Sequence, residues 1–327
     1  MGKVLTFGEL LIRLQGSSSA FINDGQIEAF VGGSELNVAM TLSSFKIPTC
    51  YCTAIPDNTI TKNIISILGK NNIDTSKIYW QGERIGTYYL LSANGLTEGD
   101  VIYDRNFSSF SQFIPEDINW DLLFEGCSWF HWTAITPALS KELAYLMKKV
   151  LEQAAQREIF ISVDLNYRSK LWCYGLEPIK VMPELVEYCD CIMGNIWAEN
   201  RMLGTSIDTN LNRYTLKEDY ITHASAAAAE LFKLFPKCLH IANTFRFMDN
   251  PQHNLFYGSY HTPKGNYSSG ILETNKVIDR IGSGDAFMGG LICGIYKGYQ
   301  PLDIINLATN TGFKKLFVKG DFMTEIL

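Results

Sequence analysis

Short apolar runs of strand character alternate with helical runs through most of the chain, and this rhythm limits the fold more than any other feature. Residues 4–7, 49–54, 129–132, 159–165, 189–193 and 239–243 read as strands. Helical runs lie between them at 35–45, opened by Ser34, and at 59–69, 140–157, around 198–203 and at 224–235. In the run 140–157, Leu143, Leu146, Met147, Val150 and Leu151 recur at the spacing of one buried helix face. Strand, helix, strand repeated in this way predicts an α/β fold, a mostly parallel sheet covered by helices.

Two stretches break the rhythm. Residues 26–31 and 87–104 have no helix between strand-like runs, and the second predicts a hairpin turning at 95–100. A small β-structure of this kind needs a ligand, a partner or the main body to cover it, so it reads as a lid. Residues 263–270 (PKGNYSSG) read as a loop. The expected organisation is one domain over 1–327 with a β lid built from about 10–31 and 85–110.

Of 327 residues 46% are apolar and 19% charged, enough for a sizeable core. The net charge of −6 provides no basic field for nucleic acid or an anionic membrane surface. The eight cysteines form no C-x-x-C and no zinc-finger spacing with histidine. Cys50/Cys52 and Cys189/Cys191 have the spacing of two side chains on one strand face and read as reduced core residues. The N-terminal segment lacks the pattern of a secretory signal, and no apolar run reaches the ~18 residues of a membrane span, so the expected location is cytoplasmic.

The chemistry concentrates in Asp279-Arg280-Ile281-Gly282-Ser283-Gly284-Asp285-Ala286-Phe287, followed by a helical run. Gly282 and Gly284 permit a sharp turn with close backbone approach, and the helix beginning there offers unpaired N–H groups and a partial positive charge. Such a terminus binds anions, and it places the Asp285 carboxylate beside phosphate oxygens. That suits phosphoryl transfer to a hydroxyl. The plain alternative is a loop in which Asp285 caps the helix. A P-loop is excluded by the absence of G-x-x-x-x-G-K-[ST], and a dinucleotide fingerprint lacks its third glycine, where Phe287 stands.

This segment, together with Gly32-Gly33 and Asn37 at the start of the first long helix, resembles the PfkB or ribokinase-like family of carbohydrate kinases. Within it the chain is most similar to the 2-keto-3-deoxygluconate kinases, through Gly8-Glu9, Val31-Gly32-Gly33-Ser34-Glu35-Leu36-Asn37, Asp164-x-Asn166-Tyr167-Arg168 and Lys319-Gly320-Asp321-Phe322. The resemblance implies a ribokinase-like fold, ATP and Mg²⁺ as cofactors, and Asp285 as catalytic base, with backbone amides around Gly282, Ser283 and Gly284 holding the transferring phosphoryl group. A helix N-terminus lowers a carboxylate pKa, so Asp285 is expected to be a weak base.

By the same resemblance Gly33 and Asn37 face the sugar, and Tyr88, Tyr103, Arg105 and Arg168 hold its polar and charged groups. A guanidinium fork matches a carboxylate, which favours a sugar acid. Asn195, Thr244, Arg246 and Asn310 fall on the nucleotide side, with Thr244 and Arg246 just past a strand ending at Asn243. The family's Asn-x-x-Glu motif places Ala198 where its acid stands, with Glu199 one residue later, so no metal ligand is assigned. A homo-oligomer is expected, and the rivals are another sugar kinase or a catalytically silent sugar-acid or nucleotide sensor.

Overall fold

The computed structural model describes residues 2–323 apart from 18–19, 23–24, 92–99, 115 and 117. The chain opens with β1 (Lys3–Phe7), β2 (Leu11–Gly16) and β3 (Glu28–Gly32), then α1 (Ser34–Ser44), β4 (Thr49–Cys52), β5 (Ala54–Ile55) and α2 (Thr59–Lys70). β6 (Ile73–Asp74), β7 (Tyr79–Trp80), β8 (Gly86–Leu91) and β9 (Asp100–Asp104) follow. Next come α3 (Trp120–Phe124), β10 (Cys127–Thr133), α4 (Ile135–Leu139), α5 (Lys141–Gln156), β11 (Phe160–Asp164) and α6 (Met182–Val186). β12 (Cys191–Gly194), α7 (Ile196–Leu203), α8 (Lys217–Leu234) and β13 (His240–Phe247) lead to β14 (Asn254–Thr262), β15 (Gly265–Ser268) and β16 (Leu272–Thr274). The last elements are α9 (Ser283–Tyr296) and α10 (Pro301–Lys315).

The main sheet has ten strands in the order β15-β14-β13-β12-β11-β10-β1-β4-β6, with β16 also on β14. From β6 to β13 all neighbours are parallel, as the alternation predicts. β14 is antiparallel to β13, and β15 and β16 are antiparallel to β14. The segment 263–270 therefore contains a strand, β15, where the sequence suggested only a loop. Its short run of Gly, Asn, Tyr and Ser pairs with residues 259–262 without an apolar pattern to announce it. β13 also outruns its predicted end at Asn243, so Thr244 and Arg246 belong to the strand, opposite Gly258 and Phe256.

Helices cover both faces. The predicted stripe on α5, Leu143 to Leu151, is buried against Phe130, Trp132, Ile161 and Val163 of β10 and β11. Each such side chain contributes about 1.5–3 kcal/mol by leaving water. On the other face Val38 of α1, Phe287 and Leu291 of α9 and Ile305 of α10 pack with Phe256 of β14. Cys50 and Cys52 do lie in one buried strand, β4, whereas Cys189 precedes β12 and is buried outside it.

A separate sheet in the order β3-β2-β8-β9 gathers residues from both stretches that broke the helical rhythm. β2 is antiparallel to β3 and parallel to β8, and β9 is antiparallel to β8. Most of the hairpin turn expected at 95–100 falls outside the described residues. Among the described residues no helix is long and apolar enough to cross a membrane.

The strand ends at Phe7, Thr133, Asp164 and Gly194 define the C-terminal edge of the parallel sheet, where open α/β sheets bind ligands. Three buried carboxyls collect there. Glu35 accepts hydrogen bonds from the Thr133 backbone N at 3.1 Å and its Oγ1 at 2.6 Å. Asp164 Oδ1 accepts from the Asn166 backbone N at 2.9 Å, and Glu199 Oε1 from Asn243 Nδ2 at 2.6 Å. Burial pushes Glu35 and Asp164 up to about 7 and Glu199 up to about 8. These folded-state values lie above those of the unfolded chain, so the folded protein keeps protons that the unfolded chain has released, and stability declines as pH rises. The thermal midpoint is expected to fall from about pH 6.5 to 8, above the range in which the buried neutral His131 opposes the trend. Calorimetry across that window checks it; a rising midpoint contradicts the assignment.

Candidate active site

Asp285 is the third residue of α9, behind Gly282 at the N-cap position with φ 80°. A Cβ on Gly282 would meet the Asp321 backbone oxygen at 2.1 Å, so both the turn and its packing require glycine. Asp285 does not cap its own helix. Its Oδ1 accepts from Ser34 Oγ at 2.6 Å and its Oδ2 from Asn37 Nδ2 at 2.6 Å, both on α1. Asn166 Nδ2 in turn donates to Ser34 Oγ at 3.0 Å. Ser34, expected to open α1 as a cap, is instead its first residue and makes no cap bond. Its hydroxyl is committed to Asp285.

The Asp285 pKa is raised, not lowered. Burial dominates, opposed by the bonds from Ser34 and Asn37 and by the charges of Arg168 and Lys315. The helix terminus argues for depression, but the side chain is only 9% exposed, and loss of water outweighs the favourable dipole. The carboxylate is therefore a stronger base than the sequence suggested. Beside it, a Cβ on Gly284 would meet nothing within 4 Å, which marks open space above the loop. The N–H groups of Gly284 and Asp285, in the first turn, have no acceptor within the helix and are available to anionic oxygens. Ser283 is different: its N–H donates to the Arg280 oxygen at 3.2 Å and its Oγ to the Gly312 oxygen at 3.0 Å. Ser283 thus spends its N–H within the turn, whereas those of Gly284 and Asp285 face no acceptor among the described residues.

Gly33 is the N-cap of α1 with φ 130°, and a Cβ there would lie 2.4 Å from the Glu9 oxygen. Backbone packing at the β3–α1 junction already demands glycine. Asn37, expected from the resemblance to face the sugar, is 3% exposed and donates to Asp285. Tyr88 and Tyr103 face one another across β8 and β9, ring centroids 6.2 Å apart, and Tyr88 OH donates to Asp321 Oδ2 at 3.2 Å. Arg105 is buried, its Nε donating to Glu9 Oε2 at 2.6 Å. Arg168 is exposed just past β11 and donates to the Tyr167 oxygen at 3.0 Å. Of the two arginines, Arg168 is the one that presents its charge toward Asp285.

Of the residues expected on the nucleotide side, Asn195 caps α7, its Oδ1 accepting from Ala198 N at 2.8 Å. Arg246 is exposed on β13 and Thr244 half-buried. Asn310 lines a small cleft with Ser44, Phe45, Thr311 and Met323. The residues drawn together are thus Gly282, Gly284, Asp285, Asn37 and, through Ser34, Asn166. Glu35, Asp164 and Lys315 join them without having been assigned roles from sequence. The i, i+3 spacing of Ser34 and Asn37 on one helix turn was the available signal.

A family model for pfkB family carbohydrate kinases matches residues 1–237. A 2-dehydro-3-deoxygalactonokinase of Haloferax volcanii is 25% identical over 321 residues, covering 98% of this chain and 92% of that protein. A 2-dehydro-3-deoxygluconokinase of Bacillus subtilis is 24% identical, covering 97% and 90%. A crystal structure of a 2-dehydro-3-deoxygluconokinase from Thermotoga maritima superposes with a TM-score of 0.88 at 29% identity, covering 99% of this chain and 96% of that one. These likenesses run through the glycine loop as well as the first 237 residues, and the chain is a ribokinase-like member of the pfkB family of carbohydrate kinases.

Proposed function

We propose that this sugar kinase transfers the γ-phosphoryl group of ATP to the terminal hydroxyl of 2-keto-3-deoxy-D-gluconate. One observation carries the reading: a buried carboxylate, Asp285, is held by Ser34 and Asn37 beside a glycine-lined opening at a helix N-terminus. Asp285 orients the sugar hydroxyl and accepts its proton as the oxygen attacks phosphorus. The N–H groups of Gly284 and Asp285 receive the oxygens of the transferring phosphoryl group. Arg168, exposed and close enough to act on Asp285, meets the sugar carboxylate, while Arg105 is engaged by Glu9 and shapes the pocket. The small sheet closes over the sugar and keeps competing water out. Ile27 and Ile102, exposed on or beside that sheet, support association with a second copy.

An Mg²⁺ ion held mainly by nucleotide phosphates fits the donors present. Among the described residues no trio of His, Cys, Asp or Glu forms a cage, and Mg²⁺ commonly takes only one or two carboxylates. Glu199 Oε2 is buried with no hydrogen-bond partner, an orphan that a cation or its water satisfies. Asp164 and Glu199 are the residues that would hold it. Bound there, the ion would neutralise charge on the phosphates.

Asp285→Asn is expected to lower kcat by about 10²–10⁴ with folding intact, the usual span for loss of a general base; near-normal turnover removes Asp285 from the reaction. Gly284→Val, filling the opening, is expected to lose activity by about 10²-fold or more, as for removal of an oxyanion donor. Substrate choice is tested by ADP release with ATP and Mg²⁺ over ketohexoses, pentoses, nucleosides and sugar acids, including the galactonate epimer. Sugar acids are expected to lead, with Arg168→Ala raising their KM selectively. Activity confined to neutral sugars refutes the sugar-acid assignment.

A further inference from the structure

The Arg13 side chain, on β2, has no exposed surface. Its Nη2 donates to Asp279 Oδ2 at 2.8 Å and lies 2.8 Å from Asp321 Oδ1. Nη1 donates to Gln15 Oε1 at 2.6 Å, and the guanidinium stacks 4.3 Å from the centre of the Phe30 ring on β3. One side chain of the small sheet thus meets two carboxylates from the last quarter of the chain, the nearer of them 266 residues away.

Both carboxylates organise the turn that presents Gly284 and Asp285. Asp279 Oδ1 accepts from the Ile281 backbone N at 3.0 Å, closing a local side-chain turn, and Oδ2 accepts from Gly320 N at 3.1 Å. The Asp321 backbone oxygen packs against Gly282 so closely that a Cβ there would be 2.1 Å away. Asp321 Oδ2 also accepts from Tyr88 OH on β8. Lys315, buried at the end of α10 with Nζ donating to the Val318 oxygen at 2.9 Å, supplies the second positive charge to this acidic pair.

We infer that Arg13 is a positioning residue for phosphoryl transfer. It ties the small sheet to the turn before α9 through Asp279 and Asp321, so the amide cradle takes its working shape only while the sheet is docked. The inference rests on the kinase reading for its catalytic consequence, but its structural half stands apart from it. Nη2 meets both carboxylates while Nη1 holds Gln15 and the plane stacks on Phe30, and a lysine ammonium has neither the second nitrogen nor the planar face to keep all of these contacts. A misplacement of about 1 Å in such a loop costs on the order of 10²-fold in rate.

The test uses the full chain carrying Arg13→Met or Arg13→Lys, with kcat, KM and hydrogen exchange of residues 279–286 measured beside wild type. Arg13→Met is expected to lower kcat by about 10²-fold while the sugar KM stays within about threefold. Exchange at 279–286 is expected to accelerate at least about tenfold, with β10 and β11 unchanged. Arg13→Lys is expected to fold, recover part of the kcat and leave exchange between the two; it also serves if Arg13→Met does not fold. Wild-type kcat and exchange in Arg13→Lys or Arg13→Met overturn the inference. So does acceleration spread evenly over the whole core, which marks Arg13 as a stability residue alone. A wild-type protein that phosphorylates no sugar refutes the kinase reading, and the exchange measurement then decides the tie between sheet and loop by itself.

Discussion

The paired hydrogen bonds from Ser34 and Asn37 to Asp285 fix the N-terminal ends of α1 and α9 against each other across 251 and 248 residues of sequence. A buried carboxylate without such donors would be strongly unfavourable, so the two helices find one register in which both oxygens are satisfied. Everything around the site follows from that register. Gly33 must bring α1 in tightly over Glu9, Gly282 must bring α9 in over Asp321, and Gly284 is left bordering open space. The same burial that makes the contact demanding raises the proton affinity of Asp285, which is what a base acting on a hydroxyl requires.

Charge in the cleft is balanced rather than uniformly negative. Glu35 and Asp164 are held near neutrality by burial, Glu9 is matched by Arg105, and Asp279 with Asp321 is matched by Arg13 and Lys315. Arg168 is the exposed cation among the charges acting on Asp285. An anionic ligand would therefore meet a region whose negative charge is reduced by burial at Glu35 and Asp164 and by ion pairs at Glu9, Asp279 and Asp321. The small sheet takes part in this balance through Arg13 and Tyr88, so its position and the electrostatics of the loop are not independent.

The parallel sheet and the Asp285 loop were legible in the sequence because both are written locally. Periodic apolar stripes such as that of α5 announce buried helices, and two glycines before an acid announce a turn with exposed amides. What escaped depended on distant partners. Ser34 looks like a helix cap until Asp285 is placed against it. Arg105 looks free for substrate until Glu9 is seen beside it. The pKa of Asp285 was expected to move the wrong way because the helix dipole is readable from position and burial is not. The end of β13 was missed because Thr244 to Phe247 pair with a strand, β14, whose polar residues gave no strong pattern.

A crystal structure of the protein with 2-keto-3-deoxy-D-gluconate and a non-hydrolysable ATP analogue tests the central claim most directly. The terminal hydroxyl oxygen is expected within hydrogen-bond distance of an Asp285 carboxylate oxygen, with the γ-phosphate over Gly284. A sugar whose terminal oxygen sits away from Asp285, with that carboxylate still closed off by Ser34 and Asn37, contradicts it.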